Sequence, residues 1–209
     1  MYNNIYYFIR RYYYHQFMEK KQILELMELV KEACFSDNNK FGPDIWKNHI
    51  LDVIHFSKLL AKELGADEEI VELAALFHDY ASVKDYRFYE DHHIFGARFA
   101  AEILSSTGME DEKITAIRQC ILSHRSSVFV EKDSVEARIL ASADAMSHFN
   151  NIRSLFVLAV ERHGMSREEA INWLDQKLKR SYEKVMPEGR KFIEEQKKSC
   201  DSIRKLEAY

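Results

Sequence analysis

A chain of 209 residues with a formal net charge of −4 is long enough to bury one generous core and shows no overall basic footprint for a nucleic-acid backbone. Six Gly and two Pro, Pro43 and Pro187, leave little material for sheet turns, so the expected fold is all-α, a single-domain helical bundle. Cys34, Cys120 and Cys200 are widely spaced without a Cys-x-x-Cys pair and read as reduced thiols of a cytoplasmic protein. No apolar run approaches the ~20 residues needed to span a bilayer, so neither nucleic acid nor membrane is an expected partner.

Residues 1–17 form an aromatic extension, with Tyr2, Tyr6, Tyr7, Phe8, Tyr12, Tyr13, Tyr14 and Phe17 around Arg10 and Arg11. It lacks the aliphatic run and cleavage site of a signal peptide. Two readings fit: natural translation starts at Met18, or the aromatic face packs on a second copy in a homodimer. The folded domain then covers 18–209. From Glu19 to Cys34, Ile23, Leu24, Met27, Val30 and Ala33 recur at three and four and predict an amphipathic helix. Ser36 to Gly42 is polar loop. Asp44 is the expected N-cap of a long helix carrying Trp46, Ile50, Val53, Phe56, Leu60 and Leu64, with His49 on its buried stripe and His55 turned outward.

Gly65 ends that helix and Asp67 caps the next, which runs through Ile70, Leu73, Ala74 and Phe77 into His78 and Asp79. Ala81 to Glu90 has no period and reads as a loop over a site. Asp91 is the expected cap of a helix with His92 and His93 in its first turn, and its small residues Gly96, Ala97, Ala100 and Ala101 imply close approach to a neighbour. Asp111 to His124 is another amphipathic helix, followed by a short extended stretch at Ser126 to Val130. Ser134 opens a helix through Leu140, Ala143 and Met146, in which Asp144 sits where an unpaired carboxylate would be costly. Leu155 to Val160 continues helically, Ser166 and Glu169 form a capping box, and the segment after Pro187 reads as a charged helix on the outside.

His49, His78, His92, His124, Asp79 and Asp144 thus lie in or beside apolar helical patterns on separate helices. Taken singly, each histidine is better explained as hydrogen-bonded core; burying so many together is expensive without a shared purpose. Imidazole with carboxylate suits Fe, Mn, Zn, Ni or Co better than Ca. The expected arrangement is two divalent ions: Asp79 bridges, His49, His78 and Asp144 complete one, and His92, with His93 as its competitor, and His124 hold the other. Two dications against two carboxylates leave a positive surplus that attracts phosphate and polarises water, a hydrolase site. His15, His148 and His163 follow no such logic and read as structural or exposed.

The order of these residues resembles the HD-domain superfamily of metal-dependent phosphohydrolases. The matching features are His49 on one helix, His78-Asp79 within Leu-Phe-His-Asp-Tyr, and Asp144 within Ala-Ser-Ala-Asp-Ala. His92-His93-Ile-Phe-Gly-Ala resembles the family's His-x-x-x-Gly-Ala helix and selects His92, and Ile121-Leu-Ser-His124 is similar to the additional histidine of two-metal members. The likeness covers about half the chain, with the motif core at 46–149 and the C-terminal helices at 150–209. It implies an all-α fold and hydrolysis of a phosphoester or phosphoanhydride, with nucleotides as usual substrates.

The Gly-Tyr-Pro signature of cyclic-dinucleotide phosphodiesterases is absent. His78-Asp79-Tyr-Ala is similar to the diadenosine tetraphosphate hydrolases, but Met146-Ser-His-Phe-Asn stands where those carry an acidic-proline-arginine motif. Asp79 is the expected catalytic carboxylate. Lys84, Arg87 and Arg125 are the expected phosphate contacts, with Lys84 also a candidate proton donor to the leaving group. The function expected is therefore metal-dependent hydrolysis of a small phosphorylated metabolite, a nucleotide first of all. The alternatives are a diiron oxygenase on the same ligands and a non-catalytic nucleotide sensor.

Overall fold

The computed structural model describes residues 21–125 and 132–206, and among these the chain is helical without strands. The aromatic N-terminal segment, His15 and the stretch at Ser126 to Val130 lie outside the described residues. The first helix, α1, covers 21–34; its buried stripe is Leu26, Val30 and Cys34, while Leu24 is exposed. The sequence period had put Leu24 inside, but Leu26, Val30 and Cys34 at i, i+4 and i+8 give a stripe rotated away from it.

A π-helical turn, Trp46–Ile50, leads into α2 (Leu51–Leu64), which stops at Gly65 in the left-handed conformation with φ 67°. Asp44 supplies no side-chain cap; its carbonyl accepts from the Asn48 amide, and its side chain lines a cavity. The wide π turn replaces the tight start that a capping carboxylate would have made. Helix α3 (Glu68–Phe77) begins as expected, with the Asp67 carboxylate accepting from the amides of Glu69 and Ile70. Leu73, Leu76 and Phe77 are fully buried, each contributing roughly 1.5–3 kcal/mol by removal from water.

The segment read as a loop is mostly helical: α4 (Tyr80–Lys84) and a 3-10 turn at Tyr86–Phe88. Tyr80, Ala81, Ser82 and Val83 are all buried, so there is no polar face to give the segment a period. Next come α5 (His92–Ser105), α6 (Asp111–Ser123) and α7 (Val135–Asn150). Asp91 caps α5 through its carbonyl, which accepts from Ile94 and Phe95, and not through its side chain. Helix α5 packs close to the end of α3: a Cβ added at Gly96 would stand 3.4 Å from the His78 carbonyl oxygen.

Beyond α7 the chain forms α8 (Ile152–Val157), a second π turn (Leu158–Arg162), α9 (Arg167–Lys184), α10 (Pro187–Arg190) and α11 (Glu194–Leu206). The capping box of Ser166 and Glu169 forms in both directions. The last segment is less peripheral than its charge implies, since Ile193 is fully buried and Gly189 lies against Met146 of α7. Among the described residues no helix is long and apolar enough to cross a membrane.

Candidate metal centre

Asp79 interrupts a helix. His78 keeps right-handed helical angles after α3, but Asp79 takes φ −105° and ψ 7°, the sparsely populated bridge between the allowed regions, before α4 starts afresh. Two neighbours that would diverge by about 100° on a continuous helix can thereby serve one point. His78 Nε2 stands 3.4 Å from Asp79 Oδ2, and His49, delivered by the first π turn, brings its own Nε2 to 3.4 Å from the same oxygen. On the other side of the carboxylate, Asp79 Oδ1 is 3.6 Å from His92 Nε2.

Helix ends fix the rings. The last carbonyls of a helix lack intrahelical partners. Ala75 in the last turn of α3 accepts from His78 Nδ1 at 2.7 Å, and Ile121 in the last turn of α6 accepts from His124 Nδ1 at 2.6 Å. The Tyr89 carbonyl serves His92 Nδ1 in the same way at 2.7 Å. His49 Nδ1 donates to Ser147 Oγ at 2.8 Å, because that hydroxyl gives its own proton to the Asp144 carbonyl. In all four rings Nδ1 carries a hydrogen, and Nε2 is the atom turned toward the centre.

The Nε2 atoms meet in twos: those of His49 and His78 are 3.1 Å apart, and those of His92 and His124 are 3.2 Å apart. Facing lone pairs repel unless a proton or a metal ion stands between them, and the donor set of imidazole and carboxylate fits a divalent transition metal. Among the described residues three overlapping groups could hold an ion: His49, His78 and Asp79; Asp79, His92 and His124; and His49, Asp144 and His148. Asp144 Oδ1 lies 3.6 Å from both His49 and His148 Nε2.

Burial opposes a charge on His78, but Asp79, together with Asp144 and the Ala75 carbonyl, outweighs it and lifts the imidazole to about 9. Burial, with the charge of His78 beside it, pushes His124 down to about 3. Burial also works against ionised Asp79 and Asp144. For Asp79 the nearby His78 and His49 overcome it, for Asp144 the nearby His148 and Lys184, and both carboxyls stay well below the usual range.

All six side chains expected to act as ligands therefore converge. Lys84 and Arg87 do not join them. Helix α4, where a loop had been expected, carries Lys84 outward, its ammonium 5.5 Å from the ring centres of Tyr80 and Phe99. The Arg87 guanidinium is bonded to Asp85 on the exterior, its side chain 73% exposed. Arg125 lines the cavity in front of the centre, 3.5 Å from Glu90.

That cavity measures about 710 Å³, within the roughly 300–1,000 Å³ of small-molecule sites. It also collects residues that sequence reasoning passed over. His148 is buried one helical turn after Asp144, stacked on His49 with ring centres 5.7 Å apart; its i+4 spacing from Asp144 was the available signal. Lys177 and Lys184 of α9 line the opposite wall, and nothing in their local sequence separates them from surface lysines.

The HD domain family matches residues 46–148. Ribonuclease Y of Thermoanaerobacter pseudethanolicus is 31% identical over 123 residues, 59% of this chain and 22% of that protein. Ribonuclease Y of Rubrobacter xylanophilus is 30% identical over 136 residues, 59% of this chain and 24% of that protein. The chain thus spans less than a quarter of the length of those two ribonucleases. An uncharacterized protein of Clostridium beijerinckii is 32% identical over 121 residues, 57% of this chain and 74% of that protein. In three dimensions the fold is similar to the crystal structure of a predicted HD superfamily hydrolase from an uncultured Thermotogales bacterium. The TM-score is 0.52 at 22% identity, covering 76% of this chain and 86% of that one. The chain belongs to the HD-domain family, whose model matches 46–148. Among the described residues its scaffold is all-α.

Proposed function

We propose that the protein hydrolyses a phosphoester or phosphoanhydride of a small phosphorylated metabolite, a nucleotide first of all, on a pair of divalent ions sharing Asp79. The observation that carries this reading is the split environment of that one carboxylate. Its Oδ2 faces Nε2 of His49 and of His78, and its Oδ1 faces His92, whose partner is His124. Ions bound there would supply Lewis-acid polarisation of a phosphoryl oxygen and would acidify a water toward neutrality. The protein's own part is orientation: Asp79 stays ionised, Ser147 and the helix-end carbonyls hold the imidazoles, and Arg125 offers a guanidinium for a phosphate oxygen.

Elemental analysis of the purified protein, paired with a phosphate-release screen over nucleotides, tests the reading. About two ions per chain with release from a nucleotide supports it. A content near one ion assigns His92 and His124 to packing or substrate contact, and release from no nucleotide overturns the substrate class. Oxygen consumption with a redox-active metal would instead mark a diiron oxygenase.

A second reading rests on the likeness to the two ribonucleases: the phosphate attacked belongs to an RNA strand. An oligoribonucleotide included in the same screen separates the two, since strand cleavage without release from mononucleotides favours RNA.

A further inference from the structure

After building the metal centre the chain doubles back over it. The α8 segment is tied to the first π turn by Asn48 Nδ2, which donates to Ser154 Oγ at 2.8 Å. Helix α9 is keyed to α7 through Ser181, whose hydroxyl donates to the Lys177 carbonyl and accepts from His148 Nδ1 at 2.8 Å. Trp173, Lys177, Ser181 and Lys184 recur at intervals of four, four and three, so they share one face of α9. Fixing Ser181 therefore places one lysine a turn before it and the other a turn after it, both on the cavity wall.

These lysines stand apart from the imidazoles. Asp144 separates them: its Oδ1 faces His49 and His148, and its Oδ2 faces Lys184 Nζ at 3.8 Å. Lys177 is half-buried with its ammonium 5.7 Å from the Trp173 ring centre. Arg162 reaches the same cavity against Gly42, where a Cβ would stand 3.2 Å from the guanidinium. Among the described residues, neither Lys177 nor Arg162 has a carboxylate within 4.0 Å, and Glu161 is the nearest acid in sequence on that wall. Burial holds Lys177 below the usual lysine range against the opposing pull of Asp144, and the charge of Lys184 works in the same direction as burial. Lys177, Lys184 and Arg162 outnumber the carboxylates beside them, Asp144 and Glu161, and cations in excess are stabilised by an incoming anion.

We propose that Lys177 and Lys184, with Arg162 beside them, form a second phosphoryl subsite next to the metal centre. The substrate then carries two neighbouring phosphoryl groups, as a nucleoside di- or triphosphate does. This rests on the phosphohydrolase reading and narrows it. One phosphoryl group takes the side of Asp144 facing the histidines, and its neighbour takes the side facing α9. Residues outside the matched family segment therefore set the selectivity.

Calorimetry on the metal-free protein compares inorganic pyrophosphate with orthophosphate, using wild type, Lys177→Met, Lys184→Met and Lys177→Arg. Wild type is expected to bind pyrophosphate at least about tenfold more tightly than orthophosphate, each Met variant to lose that preference, and the Arg variant to keep it. On metal-loaded protein, the ratio of kcat/KM for a nucleoside triphosphate to that for p-nitrophenyl phosphate should fall about tenfold in the Met variants. Circular dichroism and metal content confirm that each variant is folded. Equal binding of the two anions, or equal loss on both substrates, with phosphate release retained, overturns the second subsite alone. A metal-loaded wild type that cleaves none of these phosphates overturns the hydrolase reading and this proposal together.

Discussion

The two walls of the cavity are made differently. On the metal side every imidazole is held at its back by a hydrogen bond, three of them to a carbonyl three residues earlier and one to Ser147. On the α8–α9 side the charged groups are the tips of Lys and Arg chains, on helices anchored by the Asn48–Ser154 and His148–Ser181 hydrogen bonds. A coordination site needs its donors placed within tenths of an ångström, whereas anion binding tolerates flexible cations that follow the ligand. The first wall is built to a fixed shape and the second to a charge.

The sharpest way to break this contrast is Asp79→Asn, which removes the one group serving both imidazole pairs. Metal content should collapse and kcat/KM fall by more than about a hundredfold, beyond the 10–100-fold typical of partners behind the ligands. Lys177→Met should leave metal content at the wild-type level, and elemental analysis of both variants reads the difference. Next in size is Ser147→Ala, which leaves His49 Nδ1 without its acceptor. Metal affinity is expected to drop about 10–100-fold while secondary structure is unchanged, as measured by competition with a chelating dye.

A third test uses pH. The His78 imidazole is held at about 9 in the metal-free protein, so at neutrality an ion must displace its proton. Metal affinity should therefore rise about tenfold per pH unit from pH 6 to 8 and level off near 9, with about one proton released per ion bound at His78. An affinity flat across that window would show that His78 is already neutral. The smallest effect is expected at Gly42→Ala. With φ 89° and Arg162 at its back, the substitution strains the backbone and shifts a guanidinium of the flexible wall. A loss of about 1 kcal/mol in thermal unfolding, with metal affinity unchanged, is the expected outcome.

The metal wall was legible in the sequence because its residues are chemically unusual where they stand: histidine and aspartate inside apolar stripes are costly, and cost signals purpose. His49 was found that way, although it sits in a π turn and not in the α-helical register that had been assigned to it. Periodicity could not choose between His92 and His93, since both are buried; the Gly-Ala pattern after them chose His92, whose Nε2 meets His124. His148 escaped because it follows Asp144 in a helix buried on nearly every side, where no stripe marks one face. Lys177 and Lys184 escaped for the opposite reason: on a charged helix two more lysines carry no local signal, and only the docking of α9 on α7 gives them a role.

The helix-end carbonyls behind His78, His92 and His124 have one further effect. Zinc fingers lose their shape with their ion, but here the rings are tethered by the bundle itself. A chelator should strip the metal and leave a mould that outlasts its cargo, ready to be refilled without refolding.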